Sequence, residues 1–189
     1  MKGMNYHDYI WDLGGTLLDN YEVSTQAFVA CLENYGIKAS HDDVYMKLKE
    51  STNAAIDFFI PNEESFLQEY KLFEAEYLKH PVLFEGAREI LAKIVAEDGR
   101  NFLISHRNKQ VLSILELTEL YPYFTEVVTS NNGFARKPNP ESMLYLKDKY
   151  HIEKALVIGD REIDRQAGRA AGFDTLLVDN KKSLMEIVT

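Results

Sequence analysis

Five short runs of β-forming residues recur along the chain, each closing on small or polar residues, and this recurrence constrains the fold more than any other feature. The runs are Tyr9-Ile10-Trp11, Asn101 to Ser105, Glu126 to Thr129, Ala155 to Ile158 and Thr175 to Val178. Around the later runs, Gly86 to Ala96, Lys109 to Leu120, Pro140 to Tyr150 and Ile163 to Ala171 space their apolar residues three and four apart, the period of a helix with one buried face. Strands that alternate with helices imply a parallel sheet, because each crossover helix returns the chain to the same end, and such a sheet is covered on both faces. The expected class is α/β, a three-layer parallel sheet. Ligands of such sheets sit beyond the carboxyl ends of the strands, where Asp12, Ser105 and Asp160 all fall.

Residues 19–80 break the alternation and read as successive helices: roughly Tyr21 to Tyr35, Asp42 to Glu50, Thr52 to Phe59 and Glu63 to Leu78. Gly36 suits the end of the first, and Pro61 separates the last two. A chain of 189 residues buries one good core, and a second small unit can ride on it if inserted. The expected organisation is a core of residues 1–18 and 81–189, with a small all-helical cap of residues 19–80 hinged near Asp19 and Pro81.

The net charge of −9 argues against a nucleic-acid partner, since binding a phosphate backbone depends on clustered Lys and Arg. The same acidity repels a phosphate ester at long range, so an enzyme acting on one needs a local cation to reverse the field. Cys31 is the only cysteine, and Met1 is followed by a polar stretch, so a reduced, cytoplasmic setting is expected. The longest apolar runs fall far short of the roughly 20 residues that cross a bilayer, so no membrane span is expected.

Each chemical candidate has an ordinary explanation when taken alone. Asp12 before Gly14-Gly15 suits a turn, Asp160 caps the following helix, Asp164 is a solvated charge, Ser105 caps a helix and Lys137 is a surface lysine. Magnesium offers another reading for the acids, because it takes oxygen ligands, usually one or two carboxylates with waters and phosphate oxygens. Asp12 and Asp160 on neighbouring strand ends would suit it. Asp160 and Asp164, four apart, are expected on one face of the helix's first turn.

Order and company make the stronger signal. Asp12-x-Gly-Gly-Thr16 with Leu17-Leu18-Asp19, then Ser105, then Lys137-Pro138, then Gly159-Asp160-x-x-x-Asp164 with a trailing Ala-Ala-Gly resembles the haloacid dehalogenase superfamily, all four loop motifs in chain order. The resemblance implies a Rossmann-like core, and the helical segment lies where many members insert a C1 cap that closes over substrate. It implies that Asp12 attacks a phosphoryl group to form an aspartyl phosphate, which water hydrolyses. Ser105 and Lys137 would hold phosphate oxygens, with Lys137 also keeping Asp12 ionised. Backbone amides around Leu13, Gly14 and Gly15 and near His106 would cradle the same group. Asp12, the Gly14 carbonyl, Asp160 and Asp164 would bind or support magnesium. The implied substrate is a small phosphorylated metabolite.

One position departs from the pattern. Phosphatases of the superfamily carry a second Asp two residues after the nucleophile, which protonates the leaving group, and here that position is Gly14. General acid-base assistance contributes about 10²- to 10⁴-fold, so poor leaving groups should suffer most. Three readings stay open. Another group substitutes, His106 being adjacent in sequence to Ser105. The chain belongs with relatives that cleave something other than a phosphomonoester, such as phosphonoacetaldehyde hydrolases, which also have a small residue at this position and rely on a Schiff-base lysine in the cap, where Lys38, Lys47 and Lys49 lie. Or the fold persists as a phosphate- and magnesium-binding regulatory protein with weak turnover.

Overall fold

A computed structural model describes residues 6–107 and 110–189 and divides the chain into two compact units, residues 1–18 with 83–189 and residues 19–82. Met1, and Lys109 at the expected start of a helix, lie outside the described residues.

The first unit is built on five parallel strands: β1 (Asp8–Trp11), β2 (Arg100–Ile104), β3 (Phe124–Val128), β4 (Ala155–Gly159) and β5 (Asp174–Leu177), in spatial order β3-β2-β1-β4-β5. Trp11 pairs with Leu103 on one side and Ile158 on the other. The chain moves outward from β1 to β2 and β3, then returns to place β4 on β1's other flank. The connections therefore diverge between β1 and β4, the switch point at which open α/β sheets bind ligands. This is the Rossmann-like, three-layer arrangement expected from the alternation.

Side chains leave alternate faces of a strand, so each face needs its own cover. Tyr9, Trp11, Leu103, Leu156 and Ile158 face one layer, formed with α5 (Ala87–Ala96), α6 (Gln110–Leu117) and α9 (Leu184–Val188). Ile10, Phe102, Ile104 and Val157 face the other, formed with α7 (Glu141–Tyr150) and α8 (Glu162–Ala170). One polar group is deliberate: Trp11 donates its indole N–H to Asn101 Oδ1 at 2.9 Å, and the Asn101 amide donates to the carbonyls of Leu91 and Tyr123, each at 3.2 Å. Both side chains are fully buried, so these bonds satisfy groups that water cannot reach.

Two details differ from expectation. The helix α9 is absent from the sequence reading because five residues carry too little periodicity to register; it is started by Ser183, whose hydroxyl accepts from Met185 N–H, and lies against α5. Asp160 lies outside α8, in the turn between β4 and the helix, so only Asp164 occupies the first helical turn.

The second unit holds four helices: α1 (Asn20–Asn34), α2 (His41–Glu50), α3 (Thr52–Phe59) and α4 (Phe66–Tyr77). Asp19, Ser40 and Ser51 each cap a helix by accepting a backbone N–H. Gly36, at φ +71°, follows the end of α1 in the left-handed conformation that glycine adopts without a Cβ clash. Its core centres on Phe28, whose ring meets Phe66 at 4.9 Å and Tyr70 at 5.1 Å between centroids, both edge-on.

Candidate active site

Asp12 is the first residue beyond β1, and its N–H still donates to Ile158 O on β4 at 2.9 Å, so the strand pairing fixes where its side chain begins. Beyond it the chain turns tightly, with the N–H groups of Thr16, Leu17 and Leu18 all converging on Leu13 O. Gly15 adopts φ +80°, and a Cβ there would run into the carboxylate of Asp160. Gly159 does the same service at the end of β4, where a Cβ would strike Asp164. Two glycines thus let two carboxylates lie against backbone.

Lys137 joins these parts. Its Nζ lies 2.8 Å from Asp12 Oδ1 and 2.5 Å from Asp164 Oδ1, and 3.4 Å from Ile104 O. It comes from the loop before α7 and is only 5% exposed, so it is no surface lysine. Asp164 also accepts the Arg161 N–H with Oδ2 at 3.2 Å, which orients it at the helix start. Asp12, Asp160 and Asp164 each present a carboxylate oxygen within 4.8 Å of the other two.

Three carboxylates around one ammonium leave the protein charges unbalanced. Burial pushes the Asp12 carboxyl above its ordinary range; Lys137 pulls it back, and Asp164 adds to the rise. Lys137 therefore opposes protonation of Asp12 without by itself offsetting burial. Burial, with the negative charges of Asp12 and Asp164, carries Asp160 up to about 7. Lys137 is held charged, because the two carboxylates outweigh its desolvation. Asp160 Oδ1 is buried without a hydrogen-bond partner among the described residues. A cluster of hard oxygens with one orphaned buried acceptor and excess negative charge has the chemistry of a divalent-cation site.

Ser105 and His106 follow β2. Ser105 is buried, its N–H donates to Val128 O at 2.9 Å, and its Oγ accepts the Arg107 N–H at 3.3 Å. His106 Nε2 accepts the backbone N–H of Lys137 at 2.8 Å, which leaves the ring proton on Nδ1. Burial first, then the charges of Lys137, Arg136 and Arg161, hold its pKa down to about 4. For the reading in which His106 replaces the missing acid, this geometry gives a neutral ring whose Nε2 is occupied, a weaker acid than an imidazolium.

Two further expectations change. The N–H of Gly15 donates to Leu18 O at 2.9 Å, so Gly15 contributes shape to the loop rather than a free phosphate donor. The cap lysines are not the desolvated kind that Schiff-base chemistry uses: Lys38 and Lys49 are exposed and Lys47 pairs with Glu50 at 3.0 Å. Sequence reasoning missed Asn180, whose side-chain amide donates to Gly15 O at 2.8 Å from the turn after β5. Nothing but the Asp-Asn turn signal at Asp179-Asn180 marks that residue in the sequence.

A parallel α/β sheet carrying an acidic cluster and a buried lysine at its switch point defines a hydrolase core of the strand-end aspartate kind. The chain matches the model of the haloacid dehalogenase-like hydrolases over residues 9–178, and it belongs to that family. It is 27% identical to a phosphoglycolate phosphatase from Aquifex aeolicus, over 89% of this chain and 82% of that one. It is 26% identical to the pyrophosphatase PpaX of Bacillus pumilus, over 93% and 84%. The crystal structure of a hydrolase from Streptococcus pneumoniae TIGR4 superposes with a TM-score of 0.92 at 61% identity, covering 97% of each chain. The protein is a hydrolase of that family. Among the described residues no helix is long and apolar enough to cross a membrane.

Proposed function

We propose that this protein is a magnesium-dependent phosphohydrolase that removes a phosphoryl group from a small metabolite through an aspartyl phosphate at Asp12. The observation that carries the reading is Lys137 buried between Asp12 and Asp164, with Asp160 beside them. A lysine held charged against a strand-end carboxylate favours the ionised nucleophile and offers positive charge where phosphoryl oxygens gather. The phosphatase and pyrophosphatase relatives support a small phosphorylated substrate.

In the first step an Asp12 carboxylate oxygen bonds to phosphorus as the bond to the leaving oxygen breaks. In the second, water bonds to phosphorus, the bond to Asp12 breaks, and inorganic phosphate leaves. The weakest of the three Lys137 contacts, to Ile104 O, is the one a phosphoryl oxygen would replace. Ser105 Oγ and the backbone amides of Leu13, Gly14 and His106 would donate to the other oxygens. Magnesium would be held by Asp12, Asp160 and the Gly14 carbonyl with Asp164 in support, and when bound it supplies neutralising charge for the phosphoryl oxygens.

The test is phosphate release from acetyl phosphate, pyrophosphate, p-nitrophenyl phosphate and 2-phosphoglycolate, with magnesium or with EDTA, by wild type and Asp12→Asn. Metal-dependent release that Asp12→Asn abolishes is expected. Absence of such release from every compound would sink the reading.

A further inference from the structure

Building on the Asp12 mechanism, we propose that the bond cleaved is a phosphoanhydride, with the phosphoryl group joined to a carboxylate or to another phosphate rather than to an alcohol. The leaving oxygen then departs as a stable anion and needs no proton from the enzyme core.

The ionisable side chains gathered at Asp12 can be taken one by one. Position 14, two residues beyond the nucleophile, has no side chain. Lys137 is buried and spends its short hydrogen bonds on Asp12 and Asp164. Asp164 uses Oδ1 for Lys137 and Oδ2 for the Arg161 N–H, so both oxygens are already engaged. Asp160 lies against Gly15 in the cation cluster. His106 is neutral with Nε2 engaged by Lys137 N–H, and a neutral imidazole is a far weaker acid than an imidazolium. None of these is left to protonate what leaves.

The consequence depends on the leaving group. An alcohol leaves as a strongly basic alkoxide unless it is protonated, and that assistance contributes about 10²- to 10⁴-fold. A carboxylate, ordinarily ionised above a pKa of roughly 4, needs none at neutral pH, and a phosphate leaving group is also an anion there. The core instead offers fixed positive charge: Arg136 and Arg161 are exposed and stand close enough to His106 to depress its protonation. In a chain of net charge −9, these are local cations toward which an anionic leaving fragment would be drawn. Bond by bond, the anhydride P–O bond breaks with both electrons on the leaving oxygen while the Asp12–P bond forms. Water later replaces Asp12 on phosphorus and releases its proton to solvent.

The experiment compares kcat/KM for acetyl phosphate and pyrophosphate with that for 2-phosphoglycolate and glycerol 3-phosphate, in wild type, Asp12→Asn and Gly14→Asp, all with saturating magnesium. Wild type is expected to favour the anhydrides by at least about 10²-fold, and Gly14→Asp to raise the ratio of alkyl-ester to acetyl phosphate kcat/KM by about 10²-fold or more. If Gly14→Asp does not fold, a series of aryl phosphates of graded leaving-group acidity on wild type decides, a steep decline with leaving-group basicity being expected. Wild-type alkyl-ester turnover within tenfold of the anhydrides, or a flat aryl series, would overturn the anhydride assignment and leave the Asp12 mechanism standing. No Asp12-dependent release from any compound would remove both.

Discussion

The side-chain amide of Asn180 donates to the backbone carbonyl of Gly15 at 2.8 Å, tying the turn after β5 to the nucleophile loop across 165 residues of sequence. The Asp160 carboxylate occupies the space that a Cβ on Gly15 would take. Asn180 therefore sets the position of the loop whose carboxylate and amides would meet the phosphoryl group, without belonging to the reacting set.

Asn180→Ala is expected to lower kcat by about 10- to 10²-fold with little change in KM, since small misplacements of reacting groups can have effects of that size. Stability should fall by only about 1 kcal/mol, the worth of one hydrogen bond. Steady-state kinetics beside urea unfolding separates the two. An unchanged kcat with reduced stability would reduce Asn180 to an ordinary fold contact.

Stability should depend on pH through Asp160. Its carboxyl titrates near 7 when folded and lower when unfolded, so between those values the folded chain binds more protons than the unfolded one. Stability from this group is therefore present at acidic pH and lost as pH rises through about 7. Asp12, also raised, acts in the same direction. In EDTA, Tm is expected to fall between pH 5 and pH 8, and the fall should shrink in Asp160→Asn or with magnesium, which favours the ionised carboxylates. A Tm that rises with pH in EDTA and falls in none of these forms would contradict the assignment.

Asn101 gives a prediction for the fold alone. Asn101→Leu leaves the buried Trp11 indole N–H without its acceptor and removes a second donor from the carbonyls of Leu91, which keeps its helical bond within α5, and Tyr123. An unsatisfied buried group costs about 1–3 kcal/mol, so with the two lost amide bonds a total loss of about 2–3 kcal/mol is the expectation. Denaturant unfolding measures it, while kcat per folded molecule should stay within a few-fold of wild type.

The fold was legible because period and punctuation agree in this chain. Tyr9 and Trp11 against Ile10 show the alternation of a strand covered on both faces, and Gly36 and Pro61 stand where helices end. The acids and Lys137 were legible as a set, because each sits just beyond a strand, on the loop leading into a helix or in a helix's first turn. What sequence could not show was how hydrogen bonds divide labour within the loops. Whether a given N–H faces ligand or backbone depends on turn geometry, so Gly15 was read as a phosphate donor when Leu18 O takes its N–H. The state of His106 depends on a backbone donor 31 residues away, and Asn180 acts through a contact that no local pattern signals.

Gly15→Ala tests how far the loop's shape and its carboxylates are joined. The residue has φ +80°, a conformation unfavourable for an L side chain by roughly 1–2 kcal/mol. The added methyl would also occupy the space of the Asp160 carboxylate, so either the loop or Asp160 must move. Movement of Asp160 should weaken magnesium binding by at least about tenfold, in line with the effect of disturbing groups that orient metal ligands. Isothermal titration with magnesium, together with Tm, distinguishes the outcomes: a lower Tm with unchanged magnesium affinity would mean that the loop yields and Asp160 stays, and that Asp160's place does not depend on Gly15.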